Sequence, residues 1–377
     1  MGYPDNLPEP IRSFFTFRPG QPDYRRGPSR PDHWGWLEVV PLHGYVELAP
    51  GKYEQVAVGV AQNATDVLAP AAMNDPKGSY GRSYTKAYGF NTDPNATGRG
   101  LNFQEQWDHA LKMDPELIFV TGWNEWIAGR FKEFNGVKLP VMFVDQFDQE
   151  HSRDIEPMKG GHGDNYYYQL AAYIRRYKGA RPVPPVKPRP IRIDGNFEDW
   201  DSVEPEFRDT IADPMRRQHR GWDAKVIYTN NTGRNDLVSA KVSFDKRGVY
   251  FLIRTREPIT PLAGTNWMLL FLDTDANART GWLGYDIVIN RKEAGSVEKN
   301  LGGSFAWQPC GRTEFRVSGN QLELSLPWSA LGLKSPPARL DFKWADNCIV
   351  AGDWTDFTLN GDAAPNDRFN FEAILRP

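Results

Sequence analysis

The chain has little cysteine, little histidine, almost no net charge and no long apolar run, and each scarcity excludes a class of protein. Two cysteines, Cys310 and Cys348, cannot build the ligand clusters of a structural zinc or iron–sulfur site. Both fall in the C-terminal part, where they either pair in an oxidising compartment or stand as two unrelated buried thiols. With 45 Lys and Arg against 48 Asp and Glu the net charge is −3, which lacks the basic balance of a nucleic-acid binder. No run approaches the roughly 18 apolar residues that span a bilayer. Residues 1–8 show no basic stretch followed by an apolar one, so no secretory signal is expected in this chain. No Met/His pair stands out as axial ligands, which disfavours a haem-binding role.

What the chain does have is aromatic: 13 Trp, 15 Tyr and 21 Phe. That density suits a protein that holds flat, half-apolar ligands such as sugar rings, although aromatics also build cores. Hydrophobic residues at 40% and charged residues at 25% are the values of a folded chain. Its 377 residues lead us to expect two domains. The boundary falls at Arg181–Pro190, where five prolines in ten residues predict a stiff, extended linker. Before it, residues 163–179 form a predicted helix with Asp164 as cap and Arg175, Arg176 and Lys178 complementing the dipole at the far end.

Residues 1–180 alternate. Ile11–Arg18 and Glu54–Gln62 read as strands, Asn102–Met113 as a helix, Glu116–Thr121 as a buried strand, and Val141–Val144 as a further apolar stretch. Strand, helix, buried strand predicts a parallel sheet, hence an α/β architecture of partial or open TIM-type β/α barrel form. A full barrel takes about 250 residues, so residues 1–180 are expected to be half of a barrel whose front is missing, or else a smaller open sheet. Without a front half the chain is expected to self-associate as a homodimer that covers the open edge. Residues 191–377 change pattern. Leu237–Asp245 alternates with Val238, Ala240, Val242 and Phe244 on one face, then turns at Asp245–Gly248 into Val249–Thr255. Short strands are expected at Trp267–Asp273, Tyr285–Arg291, Thr313–Val317, Gln321–Leu326, Arg339–Ala345 and Trp354–Leu359, which predicts an all-β sandwich.

Two segments concentrate chemistry. The strand ending at Thr121 delivers Trp123, Asn124, Glu125 and Trp126 at its C-terminal end, where barrel enzymes place catalytic groups. A carboxylate serves as acid, base or nucleophile, an amide holds a hydroxyl, and indoles offer stacking faces. The second segment, Asp145–Pro157, holds five carboxylates in twelve residues, among them Asp148 and Glu156. Glu156 is the candidate partner for Glu125, while an acidic loop paired with Arg153 and Lys159 is the plainer alternative for the others. His151 and His162 read as hydrogen-bonded loop residues.

Trp123-Asn-Glu-Trp126, Ile155-Glu-Pro157 and Gly163-Asp-Asn-Tyr-Tyr-Tyr-Gln-Leu170 together resemble the C-terminal half of glycoside hydrolase family 99-like barrels. The resemblance covers residues 110–175 and, in outline, 10–180. It implies a retaining glycosidase with Glu125 essential. That family places a second catalytic Glu three residues further on, where this chain has Ala128; the resemblance therefore leaves the partner role to Glu156 or to a carboxylate of the missing front. Ile193-Asp-Gly-Asn-Phe-Glu-Asp-Trp200, the 237–255 hairpin and Trp267–Asp286 look like a family 9 carbohydrate-binding module or a DOMON-type sandwich. Within it Trp267, Trp282, Tyr285 and Trp307 are candidate stacking residues, of which one or two are expected to face solvent.

Asp273, Asp275 and Asn277 space oxygen ligands at alternate positions, as calcium loops do, although Gly284 stands at the twelfth position with Asp286 nearby. A structural calcium ion and a plain Asp-rich turn both remain open, and no cofactor is expected for catalysis. The resulting expectation is a glycoside hydrolase acting on a polysaccharide outside the cytoplasm, extracellular or periplasmic. The alternative is a non-catalytic carbohydrate-binding protein.

Overall fold

The structure is a computed structural model that describes residues 6–126, 129–214, 217–220, 227–262 and 266–375. The chain divides into two compact units, Met1–Ala180 and Arg181–Pro377. Strand outweighs helix, and no helix among the described residues is long and apolar enough to cross a membrane.

Unit 1 begins with α1 (Glu9–Phe14), where a strand is expected from the pattern. Prolines 8 and 10 explain the difference. They preset the helical first turn, Glu9 pairs with Arg12 one turn on, and none of the six residues is buried. β1 (Tyr45–Ala49) and β2 (Lys52–Val58) form a hairpin. After a long irregular stretch, α2 (Leu101–Met113) leads into β3 (Leu117–Val120), which pairs in parallel with β2. Asp114 in the left-handed conformation and Pro115 stop α2. The inward face of α2, Phe103, Trp107 and Ala110, packs on Val56 and Val58 of β2, and Trp107 stacks on Tyr173 at 5.2 Å. Tyr173 belongs to α3 (Asn165–Lys178). β4 (Arg130–Phe134) and β5 (Val137–Phe143) make a separate hairpin.

The expected barrel is therefore reduced to one strand–helix–strand unit. Among the described residues, β2–β3 is the sole parallel pair of strands and β3 has no strand on its far edge. The long segment between β2 and α2 does not supply further strands. It is tied down instead by buried polar groups, such as Arg82 donating to Ser152 Oγ and the Asp154 carbonyl, both at 2.6 Å.

Unit 2 is built from β6 (Glu206–Arg208), β7 (Arg217–Arg220), β8 (Ile227–Asn230), β9 (Leu237–Phe244) and β10 (Gly248–Thr255). Then come β11 (Leu269–Asp273), β12 (Ile287–Ile289), β13 (Ser296–Asn300), β14 (Trp307–Arg312), β15 (Glu314–Ser318) and β16 (Gln321–Pro327). β17 (Arg339–Asp346), α4 (Asp356–Leu359), β18 (Asp362–Ala364) and β19 (Phe371–Ile374) complete it. One antiparallel sheet runs β15-β16-β10-β9-β6; a second runs β14-β13-β12-β11-β17-β18 with β19 also on β17. Their inner faces share one apolar core, with Val242, Phe251 and Leu324 from the first and Leu270, Ile289 and Phe342 from the second.

Three local expectations change. A register shift between Arg254 and Thr255 puts Leu237 into the core in place of Val238. Trp354–Leu359 is not a strand; its last four residues are α4. The proline-rich 181–190 stretch is no free linker, because Val186 is buried and its N–H bonds the Ile374 carbonyl, while Arg189 N–H bonds the Phe244 carbonyl, each at 2.8 Å. Proline fixes an extended backbone, and here that backbone is laid along the sheet edge.

Candidate functional site

The site grows from the end of β3. Beyond it, Gly122–Trp126 runs beside Arg153–Glu156. Ile155 N–H bonds the Gly122 carbonyl at 3.1 Å, Glu156 N–H the Trp123 carbonyl at 2.9 Å, and Glu125 N–H donates to Asp154 Oδ1 at 2.5 Å. These bonds bring the predicted Glu125 and Glu156 onto adjacent segments. Trp126 links them further, its indole N–H donating to Glu156 Oε2 at 2.7 Å. Trp123 and Asn124 are exposed, and Trp123 meets Tyr167 edge-on at 6.4 Å.

Electrostatics at the site centre on Arg153. Its guanidinium is nearly buried, ion-paired with buried Asp145, and lies 3.5 Å from Glu125 Oε2. Burial pushes the Arg153 pKa down, opposed by Tyr24, Glu125 and Asp154. Glu125 is thus held by a cation on one side, yet its side chain keeps 44% of its exposure, so the carboxylate still faces solvent. Asp154 is fully buried, and burial pushes its pKa up. His162, stacked near Trp126, is pushed down to about 4 by burial and is neutral at pH 7. Ala128, where the family resemblance puts the second acid, lies outside the described residues.

Other candidates are placed elsewhere. Asp148 closes its own loop, accepting from the His151 N–H at 2.7 Å and bonded to that ring at 2.9 Å. Trp267, Trp282, Tyr285 and Trp307 are all buried, which corrects the expectation that one or two face solvent. Trp282, Tyr285 and Trp307 surround Phe271 at 5.1–6.4 Å, and Trp267 spends its indole N–H on the Thr260 carbonyl. Phe271 and Val288 of the second sheet join Trp282, Tyr285, Trp307 and Phe357 in a further apolar cluster.

Of the metal candidates, Asp273 and Asp275 come together with Asp286, their oxygens within 4.8 Å of one another. Asn277 lies in the same turn: its N–H bonds both Asp273 and Asp275, and its side-chain oxygen accepts from Arg279 N–H. Gly284 holds a φ of 96°, and a Cβ there would lie 3.1 Å from the Ala278 Cα, so the turn beside Asp273 favours glycine.

A second acidic group, Asp209, Asp213 and Asp362, joins residues far apart in sequence and carries no motif that would announce it. Burial, and then Asp213, push Asp362 up to about 8 and Asp209 to about 7, while burial pushes Lys343 beside them down to about 7. The two carboxyls hold protons in the fold that the unfolded chain releases above about pH 4. Their contribution to stability is complete below about pH 4 and is lost as pH rises through 7–8. Lys343 binds fewer protons folded than unfolded between about 7 and its ordinary 10.5, so its contribution grows with pH in that window. We expect Asp362→Asn, measured in chelator, to raise Tm by about 5 °C at pH 8 and to leave it nearly unchanged at pH 4. Equal shifts at both pH values would refute this.

No family model matches the chain, and no curated protein matches it.

Proposed function

We propose that the chain is a glycoside hydrolase acting on a polysaccharide or other glycan, with an appended sugar-binding β-sandwich. The observation that carries the reading is the pairing of Glu125 with Glu156 on hydrogen-bonded segments, beside exposed Trp123 and Asn124. Glycoside hydrolysis needs two carboxyl groups across one bond and flat surfaces to hold the ring. The resemblance to family 99-like barrels supports it through Trp123-Asn-Glu-Trp126 and Glu156-Pro157, with unit 1 as a reduced relative of that barrel and Glu156 in the partner role. A polymeric glycan places its work outside the cytoplasm. The test is release of reducing ends from a panel of polysaccharides; a panel that is neither cleaved nor bound would sink the proposal.

One observation favours the alternative of glycan binding without cleavage. The chain has Ala128 where the family 99-like barrels place their second catalytic Glu. Binding that is identical in wild type and Glu125→Gln, with no reducing ends from either, would decide for it.

We propose further that Asp273, Asp275 and Asp286 hold a structural calcium ion, since hard oxygen ligands suit that cation. Burial, with Asp341 and Asp286 adding to it, pushes Asp273 up to about 6, a cost that a bound cation removes. Calcium at about 1,000 times its Kd would stabilise the fold by roughly 4 kcal/mol. Calorimetry should show Tm rising with calcium in wild type and not in Asp286→Asn. Identical calcium responses would remove the site.

A further inference from the structure

A second polar constellation lies in unit 1 on residues that the proposed site does not use. Glu38 is buried, and its carboxylate accepts from the His43 N–H at 2.6 Å, from the Tyr45 hydroxyl, and is bonded to His43 Nδ1 at 3.0 Å. The imidazole, charged when protonated, is the one ion-pair partner of that carboxylate among the described residues. With Nδ1 committed to Glu38, Nε2 is left, and the ring is about one-third exposed on the wall of a cavity of about 550 Å³. Pro28, Pro31, Gly44, Val46, Glu47 and Tyr53 make the rest of that wall. The Tyr53 ring lies so close to Gly44 that a Cβ there would fall 2.1 Å from it, which seats the ring firmly. Val46 holds a φ of 52°, a strained conformation for a β-branched residue and of the kind retained at ligand sites.

We propose that this cavity is a second saccharide-binding site, in which His43 Nε2–H donates to one ring hydroxyl, Glu47 accepts from another, and Tyr53 with Pro28 and Pro31 supplies flat apolar walls. The paired polarity decides the ligand class. An anion would meet the charge of Glu47 with nothing to offset it, whereas a neutral polyol uses both the His43 donor and the Glu47 acceptor because each hydroxyl donates and accepts. The Glu38–His43 pair is itself charge-neutral, so it adds a strong donor without a net field for anions. Glu38 also raises the imidazole's proton affinity through its hydrogen bond, against burial, which keeps Nε2 protonated to higher pH. The ionisable groups around the ring are Glu38, Tyr45 and Glu47 of β1, Tyr53 of β2, and Asp23, which acts on Tyr45. The inference rests on the glycan reading for its ligand class, but on none of the Glu125 site's residues.

Six histidines make NMR of the ring resonances tractable. The probes are cellobiose, maltose, xylobiose and mannobiose, with acetate and glucosamine as charged comparisons. At least one disaccharide is expected to shift the His43 resonances saturably at pH 6, with affinity falling as pH rises through the His43 titration. His43→Gln and the surface change Glu47→Ala should each weaken binding by about tenfold or more. Acetate or glucosamine shifting His43 as strongly as any disaccharide would overturn the inference, as would silence of His43 toward all four. Silence at His43 while polysaccharide is cleaved through Glu125 would overturn this site alone; neither binding nor cleavage anywhere would overturn both readings.

Discussion

Glu125→Gln should abolish release of reducing ends, by about 10³-fold or more, while leaving the fold and glycan affinity close to wild type. The amide keeps the shape and the exposed position of the carboxylate but has no charge to act as nucleophile, base or proton donor, and such groups contribute about 10²–10⁴-fold each. Its backbone N–H still reaches Asp154, so the local path of the chain is preserved. Glu156→Gln should fall by a comparable factor. Trp126→Phe should lose less, about tenfold, because it removes the single indole hydrogen bond that orients Glu156. Trp123→Ala acts on exposed stacking surface and should raise KM more than it lowers kcat. The measurement is initial rate on whichever polysaccharide the wild type cleaves. A Glu125→Gln variant that retains the wild-type rate would remove the proposed mechanism.

Much of this arrangement could be read from local pattern, and the rest could not, for reasons that individual residues make plain. The β9–β10 hairpin is legible because Asp245–Gly248 is turn chemistry between two period-two runs. β3 is legible as a short apolar run after a helix stopped by Asp114 and Pro115, and its end is where Glu125 emerges. Local pattern fails where proline preset competes with hydrophobicity, as at α1, and where a bulge trades Val238 for Leu237. It fails for aromatics too, since composition does not say whether Trp282 or Trp307 turns inward; both do. Pairings across many residues, Glu125 with Arg153 or Asp209 with Asp362, follow from tertiary packing alone. The number of parallel strands in unit 1 is likewise beyond local pattern, because β4 and β5, among the described residues, pair only with each other.

Arg153→Met should be the most destabilising single change near the site, by about 3–5 kcal/mol, because it strands Asp145 in the interior without its cation. The wild-type pair is itself costly: Arg153 Nε and Nη1 are shielded from solvent and have no hydrogen-bond partner among the described residues. Replacing both members, Arg153→Met with Asp145→Leu, should therefore recover most of the lost stability, since apolar pairs of similar volume are often as stable as the ions they replace. Activity should not return with it. The guanidinium also lies against Glu125 Oε2, and nothing in the double variant takes over that contact. A double variant that unfolds at the same denaturant concentration as the single one would show that the pair is not what Arg153 contributes. If the double variant instead regains both stability and rate, Arg153 does not position Glu125. Recovery of stability alone would separate the two roles of this side chain, one toward Asp145 in the interior and one toward the carboxylate at the surface.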